Sequence, residues 1–148
     1  MAHSWSGTTT IDRPIDQVFA FLADGTNDKK FSPRVQEIKK LTDGPSGVGT
    51  VYSSSVKDAG LKSSREFKLT EFEQPTTISW TELTKNAITV PEGGYRLEPA
   101  GEGATRMTIW NAFEGHGFGK VLVPVALRGA KKDADAFAGR IKAAVEAP

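Results

Sequence analysis

The order in which hydrophobic periodicity changes along this chain constrains its fold more than any other feature. A period of 3.6 occurs twice, briefly after Asp12-Arg13-Pro14 and then over a long C-terminal stretch, and nearly everything between has a period of 2. Parallel α/β sheets need strands that alternate with helices, so this order predicts an α+β fold: an antiparallel sheet with its helices gathered on one face. A sheet that curls around one long helix leaves a gap beneath it. That gap is the expected seat of function.

Ser4 to Ile11 is rich in Thr and sets Trp5 and Ile11 on one parity, as a half-buried strand does. Pro14 suits a first helical position because its missing N–H would be unpaired there, and Asp16 adds a favourable charge to the first turn. Ile15, Val18, Phe19 and Leu22 then form one apolar stripe that Asp24-Gly25 ends, and a further helical turn over 28–34 is limited by Pro33. Gln36 to Leu41, Val48 to Lys57, Ser63 to Phe72, Thr76 to Leu83, Ala87 to Glu98 and Thr105 to Phe113 read as strands joined by short turns, an antiparallel meander. In this reading Val48, Tyr52 and Val56 share a face, and Pro91 with Gly93-Gly94 marks a bulge or an edge. From Lys120 to Val145 the residues Leu127, Ala130, Ala134, Phe137, Ile141 and Ala144 recur at helical spacing. Pro124 falls early in that helix, at its first turn or at a kink.

Charge and composition exclude several classes of function. Lys+Arg 19 against Asp+Glu 18 leaves a net charge of +1, so no global field recommends nucleic acid or an anionic membrane. Cys is absent, which removes disulfides, thiolate metal sites and Cys nucleophiles. His3 and His116 are far apart and have no Cys to join them, so neither a metal nor another cofactor is expected. The longest apolar run, Val121 to Leu127, is far short of the roughly 20 residues that span a bilayer, and residues 1–20 lack a signal-peptide core. The expectation is a soluble, cytoplasmic, single domain over residues 1–148.

The segment Ile11-Asp12-Arg13-Pro14-Ile15-Asp16-Gln17-Val18-Phe19 resembles the strand-then-helix signature of the START-like, polyketide cyclase/dehydrase and lipid transport superfamily. Gly47-Val48-Gly49-Thr50-Val51-Tyr52 is similar to it too, as are Leu69 to Pro75 leading to Trp80, and Gly103 to Thr108. These matches run in family order over essentially the whole chain. The resemblance implies a helix-grip fold, in which a curved seven-stranded antiparallel sheet wraps the C-terminal helix, short helices follow the first strand, and an elongated, mostly apolar cavity is enclosed. It also implies binding or transport of a small hydrophobic or amphipathic ligand, lipid-like or polyketide-like. A polyketide cyclase, aromatase or dehydratase is the alternative, and an interaction module with a collapsed pocket is a second. The polar cavity set that many cyclase-type relatives carry is not recognisable here.

If the apolar parity faces the last helix, the inward residues are candidates for ligand contact. They are Tyr52, Ser54, Phe67, Leu69, Trp80, Tyr95, Met107, Ile109, Asn111 and Phe113 from the sheet, with Ala130 and Phe137 from the helix. Taken alone such a stripe fills a core. The helix-grip resemblance favours a pocket instead, because small residues such as Ser54 and Ala130 facing aromatics leave room. Among the inward hydrogen-bonding groups Asn111 stands out, lying between Ile109 and Phe113, and either a backbone bond near a bulge or a ligand would satisfy it.

Tyr95, Asn111, Glu114 and His116 are the candidates for catalysis. His116 is the only plausible general acid or base of the imidazole type, with Glu114 close in sequence, but nothing in the sequence shows a nucleophile or orienting partner, and a solvated loop histidine is the alternative. The glycines around it do not form a P-loop, since Gly119-Lys120 is followed by Val121; gating of the pocket is the reading adopted. Lys29-Lys30, Lys39-Lys40 and Lys131-Lys132 are isolated pairs rather than a nucleic-acid-binding patch. Trp110 falls on the opposite parity from Ile109, where an outward aromatic would suit a homodimer contact.

Overall fold

A computed structural model describes residues 3–58 and 60–148 of the chain. Strand β1 (Ser4–Ile11) leads into helix α1 (Ile15–Ala23) and a 3-10 segment (Gly25–Lys30). Strands β2 (Val35–Lys40), β3 (Val51–Asp58), β4 (Leu61–Glu73), β5 (Thr77–Glu82), β6 (Ile88–Thr89), β7 (Gly93–Pro99), β8 (Thr105–Ala112) and β9 (Glu114–Gly115) follow, and helix α2 (Gly119–Glu146) completes the order. Seven strands form one curved antiparallel sheet in the order β1-β8-β7-β5-β4-β3-β2, and β6 pairs separately with β9. The sheet grips α2, giving the α+β helix-grip architecture expected from the periodicity and the resemblance.

Local chemistry sets the element boundaries. Pro14 is the residue before α1, extended at ψ 151°, and its carbonyl accepts from the backbone N–H groups of Gln17 and Val18. Asp24 separates α1 from the 3-10 segment and caps the latter, its carboxylate accepting from Thr26 N–H at 3.0 Å. Val18, Phe19 and Leu22 of α1 enter a core shared with Ile11, Ile78, Leu97, Met107 and Ile109 of the sheet and with Ala138 and Ile141 of α2. At the other end of α2, the Glu146 carboxylate accepts from Asp12 N–H and pairs with Lys142, which ties the helix to the β1–α1 turn. These contacts hold the Glu146 carboxyl below its ordinary value, the Asp12 N–H contributing most.

Three segments differ from the sequence reading. The helical turn expected over 28–34 is instead the 3-10 segment Gly25–Lys30, which begins directly after Asp24. Strand β3 starts only at Val51, and Val48 stands exposed in the preceding loop rather than on the face of Tyr52. The stretch read as one strand from Ala87 to Glu98 is two, with Pro91 between them: it has no N–H for a ladder, and β6 pairs with β9 outside the main sheet.

Helix α2 sits unusually close to β1. The approach is made at Gly7, paired with Ile109 in register, where a Cβ would lie 2.9 Å from the Ala134 carbonyl carbon and closer still to its oxygen. Only glycine fits between that strand and that helix turn.

Candidate functional site

A cavity of about 210 Å³ opens beneath the helices, smaller than the roughly 300–1,000 Å³ of most ligand pockets. Leu22, Ala23 and the 3-10 segment roof it, Val35 and Ile38 of β2 close one side, and Phe137 of α2 walls another. The sheet supplies Tyr52, Phe67, Leu69, Ile78, Trp80, Tyr95, Ile109 and Asn111. Of the expected ligand residues, the structure therefore brings together Tyr52, Phe67, Leu69, Trp80, Tyr95, Ile109, Asn111 and Phe137. It does not bring four others to this cavity. Met107 is fully buried in the core and Ser54 is buried away from the lining, while Phe113 and Ala130 line an outer groove of about 610 Å³ beside α2. Phe137 and Ser32 border both spaces, and Phe31 meets Phe137 edge to face at 6.0 Å, so an aromatic partition separates cavity from groove.

One row of residues crosses three strands at the cavity wall. Trp80 of β5, Gly93 of β7 and Asn111 of β8 lie side by side in register. The Trp80 indole donates to Asn111 Oδ1 at 2.9 Å, reaching over the glycine. A Cβ at Gly93 would lie 2.6 Å from Trp80 Nε1 and 2.9 Å from Trp110 O, so the bond exists because the middle position has no side chain. Asn111 is thus satisfied by a side chain two strands away. Replacing Asn111 with Leu should strand the indole N–H and cost about 1–3 kcal/mol, measured as a lowered denaturation midpoint with an unchanged slope.

The remaining polar groups in the cavity differ in whether the protein satisfies them. Tyr52 Oη bonds to Ser46 Oγ at 2.5 Å and so is spoken for. The Tyr95 ring stacks edge-on against Trp80 at 5.0 Å, but its hydroxyl has no hydrogen-bond partner among the described residues. The Asp28 carboxyl, on the 3-10 segment, has none either. Burial pushes Asp28 up to about 7, with the charge of Asp24 adding to the effect, and burial followed by the Asp28 charge pushes the Tyr95 hydroxyl well above its ordinary range. An unbonded carboxyl and an unbonded phenol therefore share a mainly apolar wall, and the charge of the first acts on the second.

Asp28 is absent from the residues that the sequence pattern singles out. It stands in the run Gly25-Thr26-Asn27-Asp28-Lys29-Lys30, whose composition reads as solvated surface; the Asp24 cap and the short 3-10 turn are what aim it inward. Glu82 is absent from them too. Its fully buried carboxylate pairs with Arg65 at 2.9 Å and accepts from Thr84 Oγ1, Asn86 Nδ2 and Val90 N–H, which folds the crossover 83–92 over the cavity end where Val90 lines it.

Glu114 and His116 lie at the surface, apart from Tyr95 and Asn111. His116 Nε2 sits 2.9 Å from Thr89 Oγ1 and 3.4 Å from Glu114 Oε1. The flanking glycines are packing positions: a Cβ at Gly115 would lie 2.6 Å from Lys120 N, and one at Gly119 would overlap the Ala87 carbonyl. The turn read as a gate is where the crossover clamps onto the first turn of α2. Trp110 lies on the opposite face, half-buried, with the Arg96 guanidinium 5.7 Å from its ring centre.

Comparison with known proteins follows the same lines. The sequence model of the family described as polyketide cyclase / dehydrase and lipid transport matches residues 2–146. Among solved structures, a Thermus thermophilus protein superposes with a TM-score of 0.78 at 16% identity, with 96% of each chain covered. The Zhui aromatase/cyclase of a Streptomyces species gives 0.74 at 18% identity, covering 97% of this chain and 96% of that one. A START superfamily protein from Mycobacterium smegmatis gives 0.73 at 16% identity, covering 95% and 97%. No curated protein matches the sequence. At these identities the likeness to solved structures is one of fold.

Proposed function

Because this chain belongs to the polyketide cyclase / dehydrase and lipid transport family, we propose that its cavity binds a compact amphipathic molecule, lipid-like or polyketide-like, that is apolar along most of its surface and polar at one end. The observation that carries this reading is the pairing of a largely apolar lining with two polar groups, Asp28 and Tyr95, that the protein leaves unbonded. A ligand hydroxyl or amine between carboxyl and phenol would bond to both, while Trp80, Leu69, Ile78 and Ile109 hold the apolar body.

Native mass spectrometry of gently purified protein, combined with titration of long-chain alcohols and polycyclic phenols, tests the reading. With Trp5 and Trp110 replaced by Phe, emission reports on Trp80 alone, and saturable quenching is expected. Replacing Ile109 with Trp should fill the cavity and abolish it. No co-purifying ligand and no saturable binding across the panel would overturn the proposal.

A second reading, an enzyme of the cyclase or dehydratase type, is favoured by one observation: a carboxyl that titrates near neutrality inside the cavity is suited to moving protons. In that case Asp28→Asn would abolish turnover while ligand affinity stays within a few fold.

A further inference from the structure

The first turns of α2 present apolar side chains to solvent. Phe118 just before the helix, then Val121, Leu122 and Val125 are 74%, 66%, 39% and 67% exposed, and their spacing of three, four and seven places them in one stripe. The buried side of the same turns is made by Gly119, Val123 and Leu127, so this half of the helix is apolar on both faces. Neither the core nor the cavity uses the outer stripe.

Along the first turns of the helix the charges beside it are basic, with the acidic Glu114 and Asp133 at the two ends of that stretch. Lys120, Arg128, Lys131 and Lys132 are all exposed, and no acidic residue occurs between Glu114 and Asp133, although the whole chain carries a net charge of only +1. Arg128 and Lys132 stand seven residues beyond Val121 and Val125, so the apolar stripe runs on into a basic one. The stripe is made of one Phe, one Leu and two Val, with no Trp or Tyr anchor of the kind that centres a protein–protein interface. An exposed apolar stripe with basic residues beside it matches the boundary between acyl chains and anionic headgroups. No described helix is long and apolar enough to cross a membrane, so contact would stay at the surface layer.

We propose that the first turns of α2 dock this protein onto an anionic lipid surface, with Phe118, Val121, Leu122 and Val125 entering the interface and Lys120, Arg128, Lys131 and Lys132 facing the headgroups. The proposal stands apart from the identity of the cavity ligand. Co-sedimentation with vesicles of phosphatidylcholine alone and of phosphatidylcholine mixed with phosphatidylglycerol tests it. Binding is expected to the mixed vesicles only, and to weaken as salt is raised. Val121→Ser/Val125→Ser and, separately, Lys131→Glu/Lys132→Glu should each reduce it by roughly tenfold or more. Both pairs are exposed, and an unchanged thermal midpoint in each variant verifies that the fold is intact. No sedimentation with mixed vesicles, or binding that survives both double variants, would overturn the proposal. So would a concentration-dependent dimer that the serine pair dissociates, since the stripe would then be covered by a second copy.

Discussion

Replacing Asp28 with Asn is expected to stabilise the protein above neutral pH and to leave it unchanged in acid. The unfolded carboxyl titrates near 3.8 and the folded one at about 7, so between those values the native state holds a proton that the unfolded state has lost. Stability therefore falls as pH rises through this window, and the deficit is complete above the folded value. At 1.36 kcal/mol per unit, a shift of this size corresponds to at most about 4 kcal/mol. Asn keeps the shape without the charge. Guanidinium unfolding at a series of pH values should give curves for the two proteins that coincide near pH 4 and separate by about 2–4 kcal/mol at pH 8. A gap that does not change with pH would mean that the carboxyl is not desolvated as described.

Replacing Gly7 with Ala is expected to be among the most damaging single-methyl changes in the molecule. The new Cβ would meet the backbone carbonyl of Ala134, which has no rotamer to move, so α2 would have to lift from β1. The helix carries Ala138 and Ile141 into the core at 0% exposure, and lifting it loosens them as well. Overpacking of this kind costs about 3 kcal/mol. Gly129→Ala and Gly139→Ala provide the contrast. Both positions are exposed within α2, a methyl group added at either would meet nothing within 4 Å, and each change should gain about 0.5–1 kcal/mol from helix propensity. Thermal unfolding of the three variants distinguishes a tightly seated helix from a loosely packed one, because only the former gives opposite signs.

The fold was legible because a change of period from 3.6 to 2 and back survives any detail of packing. Parity also picked the correct face at Tyr52, Phe67, Trp80 and Ile109, all of which line the cavity. It could not give depth along that face, which is why Met107 and Ser54 share the parity but lie elsewhere. Asp28 was illegible because a six-residue 3-10 segment has no amphipathic period, and its inward aim arises only when the segment folds over the sheet. Glu114 and His116 follow β8 closely in sequence, yet the chain leaves the main sheet at Phe113, and that proximity is lost. Gly93 reads as part of a bulge or an edge, and nothing in the sequence singles out Gly7. Only the neighbouring helix and strands reveal them as sites of close approach.

The seating of α2 on β1 also bears on how such a container diversifies. Phe137, a wall of the cavity, rides on the helix whose height above the sheet is set at Gly7, a residue outside the lining. A lineage could thus acquire a differently sized ligand by exchanging one small residue on a rim strand, with every contact residue left as it was. Comparisons of binding preference among relatives that align only the lining would miss that route, whereas the residue facing Ala134 would record it.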